Sequence, residues 1–211
     1  MGKTVLERID IDNLISNLRG ELGTVIESWT LLREYSILTN QLTTDMSFSQ
    51  YLENFNNSEF NKRNIIKKKF VDDIISKLSE LAQQSNRHLN FFLATQKIDK
   101  LNLATQKKID KLNSELKEYQ DFIVDNNFKV RRNEFISHKK LPLTWAGHKA
   151  AYSIPYKTIT KAIAKALILM KKIDDIYIGA NASLNWRKLR ANRYSYDIAA
   201  RAQYMKMYYV K

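Results

Sequence analysis

Residues 11–34, IDNLISNLRGELGTVIESWTLLRE, place Ile15, Leu18, Leu22, Val25, Trp29 and Leu32 at alternating steps of three and four. Apolar residues at that spacing line one side of an α-helix, so the stretch predicts a long helix with a single seam facing a partner. Asp10 or Asp12 can serve as its N-cap. Gly20 and Gly23 interrupt the pattern, each at a cost of about 1 kcal/mol relative to alanine. Close packing against a neighbour or a kink would account for them.

Working outward, the rest of the chain repeats this grammar. Two prolines and five glycines in 211 residues leave too little punctuation for a fold of hairpins. The polar stretch 39–64, centred on NFNNSEFN, reads as a loop with a short helix over 48–55. The spacing of Ile66, Phe70, Ile74, Leu78 and Leu81 predicts a second helix over 65–82, with Lys67, Lys68 and Lys69 on its solvated face. ATQKIDKLN (94–102) then recurs as ATQKKIDKLN (104–113), aligning Ile98 with Ile109 and Leu101 with Leu112. An offset of eleven residues is close to three helical turns, so both copies should present one apolar face, in a lengthened helix or a helix pair.

YQDFIVDNNFKVRRNEFISHKKLP (119–142) reads as a helix ending at Leu141, since a residue before proline disfavours the α region. The last helix opens at Pro155, buries Ile159, Ile163, Ala166, Met170, Ile173 and Tyr177, and stops at Gly179. Lys157, Lys161 and Lys165, four apart, form one basic ridge on it. The expected architecture is all-α: an up-and-down bundle of four to six helices over 1–180, with a basic Tyr/Arg-rich extension over 181–211 packed on it.

Composition narrows the function classes. The absence of cysteine excludes disulfides, thiolate zinc and a cysteine nucleophile, and fits a reducing, cytoplasmic setting. The N-terminus is charged from its third residue, and the most apolar segment, Ala162 to Met170, is too short to span a bilayer, so no membrane role is expected. Gly2-Lys3-Thr4 lacks the upstream glycine and strand of a phosphate loop. Charge is unevenly placed. Residues 1–128 hold 17 Lys+Arg against 18 Asp+Glu, whereas 129–211 hold 18 against 4. A charge excess packed into one third makes a directional field that concentrates polyanions, nucleic acid first among them.

No metal or cofactor is expected. His88, His138 and His148 are far apart without ligand spacing, and the pairs Asp72-Asp73 and Asp174-Asp175 lie on helices, where adjacent side chains diverge. His88 and His148 read as ordinary surface or packing histidines. Trp145 and Trp186 can stack bases or fill core. One constellation remains, Arg131-Arg132-Asn133 with His138-Lys139-Lys140 just before Pro142.

That constellation resembles the signature of the HEPN superfamily, in which an arginine, commonly followed by a polar residue, precedes a histidine by four to six residues. Here Arg132 and Asn133 are followed by His138 with five residues between arginine and histidine. The likeness is close at the motif and loose over residues 10–180, and is greatest to the abortive-infection and toxin–antitoxin branch. It implies a metal-independent endoribonuclease toxin or phage-defence effector, working as a homodimer whose two motifs face one another and controlled by an antitoxin partner. His138 would deprotonate the ribose 2′-OH, Arg132 would stabilise the phosphorane, and Asn133 would orient the phosphate or His138. Arg131, Lys139 and Lys140 would favour neutral imidazole and, with Lys157, Lys161 and Lys165, attract RNA.

On an ideal helix Arg132 and His138 point about 120° apart, whereas Arg131 and His138 nearly align, so Arg131 stands as the alternative cation. The seam of the first helix offers a dimer contact. Two other readings use the same residues. The arginines can be solvated helix cations and His138 a partner of the helix dipole, in an inactive module that binds RNA or a nucleotide. Or the basic face docks a protein partner.

Overall fold

The computed structural model describes residues 10–44, 58–85, 88–133 and 154–181. Among these residues the chain is an all-α bundle of six helices with no strand: α1 (Ile11–Thr44), α2 (Ser58–Leu81), α3 (Phe91–Lys100), α4 (Gln106–Asp125), the single turn α5 (Phe128–Val130) and α6 (Tyr156–Asn181). No helix among them is long and apolar enough to cross a membrane. The extension 181–211, but for Asn181 at the end of α6, lies outside the described residues.

α1 packs most extensively on α2 and also touches α3 and α6, so it is central to the bundle. The six seam residues of α1 are all buried, none more than 6 % exposed. The seam is therefore covered by helices of the same chain, and does not supply the dimer contact expected of it. The predicted stripe of α6 is likewise buried from Ile159 to Ile173, with Tyr177 packed at its edge. At Gly20 an added Cβ would meet nothing within 4 Å, so close packing does not explain that glycine.

Several boundaries differ from expectation. α1 runs on to Thr44 and α2 begins at Ser58, both inside the stretch read as loop. Polar composition alone does not stop a helix, and neither end contains a glycine or proline to break one. Gly179 lies within α6, with no positive φ. Pro155 behaves as predicted, its carbonyl accepting from Thr158 N and Ile159 N at 2.9 and 3.1 Å.

The helix expected over 119–141 is broken. α4 ends at Asp125, and Asn127 takes a left-handed φ of 61°, a conformation asparagine tolerates better than other side chains with a Cβ. Asn126 Nδ2 donates to Phe122 O at 2.8 Å, satisfying one terminal carbonyl. The turn between α2 and α3 is held by Asn90, wholly buried. Its Oδ1 caps α3 by accepting from Leu93 N, while its Nδ2 donates to Ser85 O and His88 O.

Candidate functional site

After the break at Asn127, α5 leads into a π-helical turn over Arg131, Arg132 and Asn133. Such turns shift the register of every following side chain. Ideal α-helical spacing therefore does not hold over 131–133, and the angle from either arginine to His138 lies outside the described residues. All three are half-buried, and the two arginines face α2. Arg131 Nη2 lies 3.3 Å from Asp72 Oδ1, and Arg132 Nη2 lies 3.6 Å from Glu80 Oε1. Neither arginine is a freely solvated helix cation.

The two contacts differ in kind. Arg131 makes a long hydrogen bond to Asp72, whereas the Arg132–Glu80 distance exceeds hydrogen-bond range. The Nε atoms of both arginines are buried without a hydrogen bond of their own among the described residues, so the difference between the two lies at Nη2. Half-exposed pairs of this type are worth only about 0.2–1 kcal/mol. They aim the guanidinium groups more than they stabilise the fold, and an incoming phosphate can replace the carboxylate. Of the two, Arg132 is the less saturated.

His138, Lys139 and Lys140 lie outside the described residues, as do His148, Trp145 and Trp186. Compared with protein-family models, curated proteins and solved structures, the chain matches none.

The ridge on α6 divides. Lys157 and Lys161 are exposed. Lys165 instead turns to α4, where its Nζ lies 4.0 Å from Glu118 Oε2 and 5.7 Å from the centre of the Phe122 ring. Lys172, further along, pairs with Glu115. Spacing alone puts three lysines in one row, but only Lys157 and Lys161 are exposed with no carboxylate partner among the described residues. His88 is exposed, in keeping with a surface histidine.

The acidic pairs diverge as helical geometry requires. Asp175 is exposed while Asp174 is buried, and no group of three metal-ligating side chains occurs among the described residues. Sequence reasoning missed what Asp174 does. Arg19 Nε and Nη2 both donate to its Oδ1, at 2.9 and 2.7 Å, joining α1 to α6 inside the core. Burial pushes the Asp174 carboxyl above its usual range, and Arg19 draws it only partly back. Nearby, Tyr177 donates to Asp12 at 2.5 Å, and burial together with that carboxylate raises its hydroxyl to about 12. The available signal was Arg19 standing beside Leu18 on the buried flank of the seam.

Proposed function

We propose that the chain is a HEPN-type, metal-independent endoribonuclease acting as a toxin or phage-defence effector, with Arg132 as the cation on the phosphorane and His138 as the base. The observation that carries this reading is the state of Arg132. Its Nη2 is aimed by Glu80 from outside hydrogen-bond range, so it can take up phosphate oxygens as their charge grows. Arg131 is more fully engaged by Asp72, which favours Arg132 for the chemistry and Arg131 for positioning. Asn133, next to both on the π-helical turn, orients the phosphate. The basic C-terminal third, with Lys157 and Lys161 exposed, draws RNA to the site. Two copies of the motif facing one another require a homodimer, and an antitoxin partner would restrain it.

The test is cleavage of RNA with EDTA present. His138→Ala should lower the rate by about 10² to 10⁴ while RNA affinity and Tm stay near wild type. Arg132→Ala should lower rate more than affinity, Arg131→Ala affinity at least as much as rate. Products should end in a 2′,3′-cyclic phosphate or the 3′-phosphate from its opening. Cleavage unchanged in His138→Ala sinks the enzyme.

One observation favours a second reading. The contacts of Arg131 and Arg132 with α2 fix the direction of both guanidinium groups, which a module that binds RNA without cutting it would also need. Tight RNA binding by the wild type with no cleavage of any substrate would select it.

A further inference from the structure

Arg131 and Arg132 are neighbours in sequence, yet α2 takes hold of them at places two helical turns apart. Asp72, Ser76 and Glu80 follow one another at steps of four on α2, a spacing that puts all three on one flank of the helix. Arg131 Nη2 goes to Asp72 at one end of that row, and Arg132 Nη2 to Glu80 at the other. Eight residues of α-helix separate the two acids, about 12 Å along the axis. Between them Ser76 Oγ donates to Glu80 Oε1 at 3.3 Å, the same oxygen that Arg132 approaches.

Two donors that share one phosphate converge on it, each about 2.9 Å from an oxygen. Carboxylates at the two ends of the row draw these guanidinium groups apart along α2 instead. The Nε of each is buried, so an anion meets both groups on their outer nitrogens. Each side chain keeps about a fifth of its surface in solvent. A guanidinium carries five N–H donors in a planar fork, so it can hold its carboxylate and a phosphate together.

We propose that Arg131 and Arg132 bind two different phosphates of one RNA strand, Arg132 the scissile one and Arg131 another along the chain. Asp72 and Glu80 set the distance between the two guanidinium groups, so the site selects a strand with at least two phosphates over a mononucleotide. Which phosphate is cut rests on the ribonuclease reading above; the assignment of two arginines to two phosphates does not need cleavage.

The experiment uses the full chain carrying His138→Ala, so that binding is read without cleavage. A mixed-sequence single-stranded RNA nonamer is titrated at several salt concentrations, with and without Arg131→Gln, Arg132→Gln and the two together. Each phosphate neutralised on a single strand contributes about 0.7 to the slope of log affinity against log salt. With two phosphates, each single variant should flatten the slope by about 0.7 and the double variant by about 1.4. With one shared phosphate, either arginine alone still neutralises it, so the double variant would lose no more than about 0.7 in all. That result overturns the proposal, as does a slope indifferent to either variant or failure of the nonamer to bind. Tm is measured alongside, and a glutamine variant that unfolds is replaced by Arg→Met, which keeps the buried stem and likewise drops the charge. Cleavage by the wild type is scored separately: its absence defeats the enzyme and leaves these slopes to decide the two phosphates.

Discussion

Arg19 and Asp174 meet largely out of reach of water, and that single contact sets the sharpest expectation at the residue scale. Both are more than nine-tenths buried, so their attraction is offset by the loss of hydration on each side. Removing one partner strands the other. Arg19→Met should lower unfolding free energy by about 3–5 kcal/mol, whereas Arg19→Met with Asp174→Leu should return to near the wild-type value. Urea denaturation of the cycle measures both. The pH dependence follows from the raised Asp174 carboxyl. A folded-state value above the unfolded one contributes stability that is present at low pH and is lost as pH rises through the folded value. Arg19→Met takes away the attraction that opposes burial and raises the carboxyl further. The deficit of that variant should therefore be largest near pH 7 and shrink towards about pH 4. A deficit that grows on acidification would show that the carboxylate is held by something other than Arg19.

At the scale of the element, the internal repeat shows one string read in two ways. Its first copy ends α3 and its second runs on inside α4. Ile98 and Ile109 are both buried, but Leu101 is 44 % exposed where Leu112 is 1 % exposed, so the single shared face does not extend to the leucines. The end of α3 is a Schellman arrangement: Leu103 N donates to Ile98 O at 3.1 Å, Asn102 N to Asp99 O at 2.9 Å, and Asn102 has a φ of 52°. The residue after the string differs between copies. Leu103 packs against the core, as the motif's hydrophobic contact requires, while the second copy has Ser114 there, exposed. Asparagine at the two equivalent positions should then respond oppositely. Asn102→Ala should destabilise by about 1 kcal/mol, because alanine resists the left-handed conformation. Asn113→Ala, exposed in mid-helix, should stabilise by about 0.5 kcal/mol through propensity. Denaturation midpoints moving in the same direction would refute this account of the stop.

For the whole molecule, the charge gradient governs how RNA would be met. Each phosphate neutralised on a single strand contributes about 0.7 to the slope of log affinity against log salt. Lys157→Gln with Lys161→Gln should flatten that slope by roughly 1.4. Lys165→Gln should change it little, since Lys165 already lies beside Glu118 and Phe122. Equal effects from all three lysines would restore the unbroken ridge and require Lys165 to leave α4 on binding.

The all-α class, the buried faces of α1 and α6 and the placing of Pro155 at a helix start were legible in the sequence, because each depends on local spacing or on the backbone of one residue. The candidate arginines were legible as residue types for the same reason. What the spacing could not carry was decided by packing between distant segments. The helix over 119–141 gave way at Asn127, the Leu103 contact chose which copy of the repeat would stop, and α4 drew Lys165 out of its row. Arg19 found Asp174 across 155 positions, and Asp72 and Glu80 took their stations against Arg131 and Arg132. Those outcomes depend on which charges and cavities are brought within a few ångströms of one another, and only the tertiary structure brings them there.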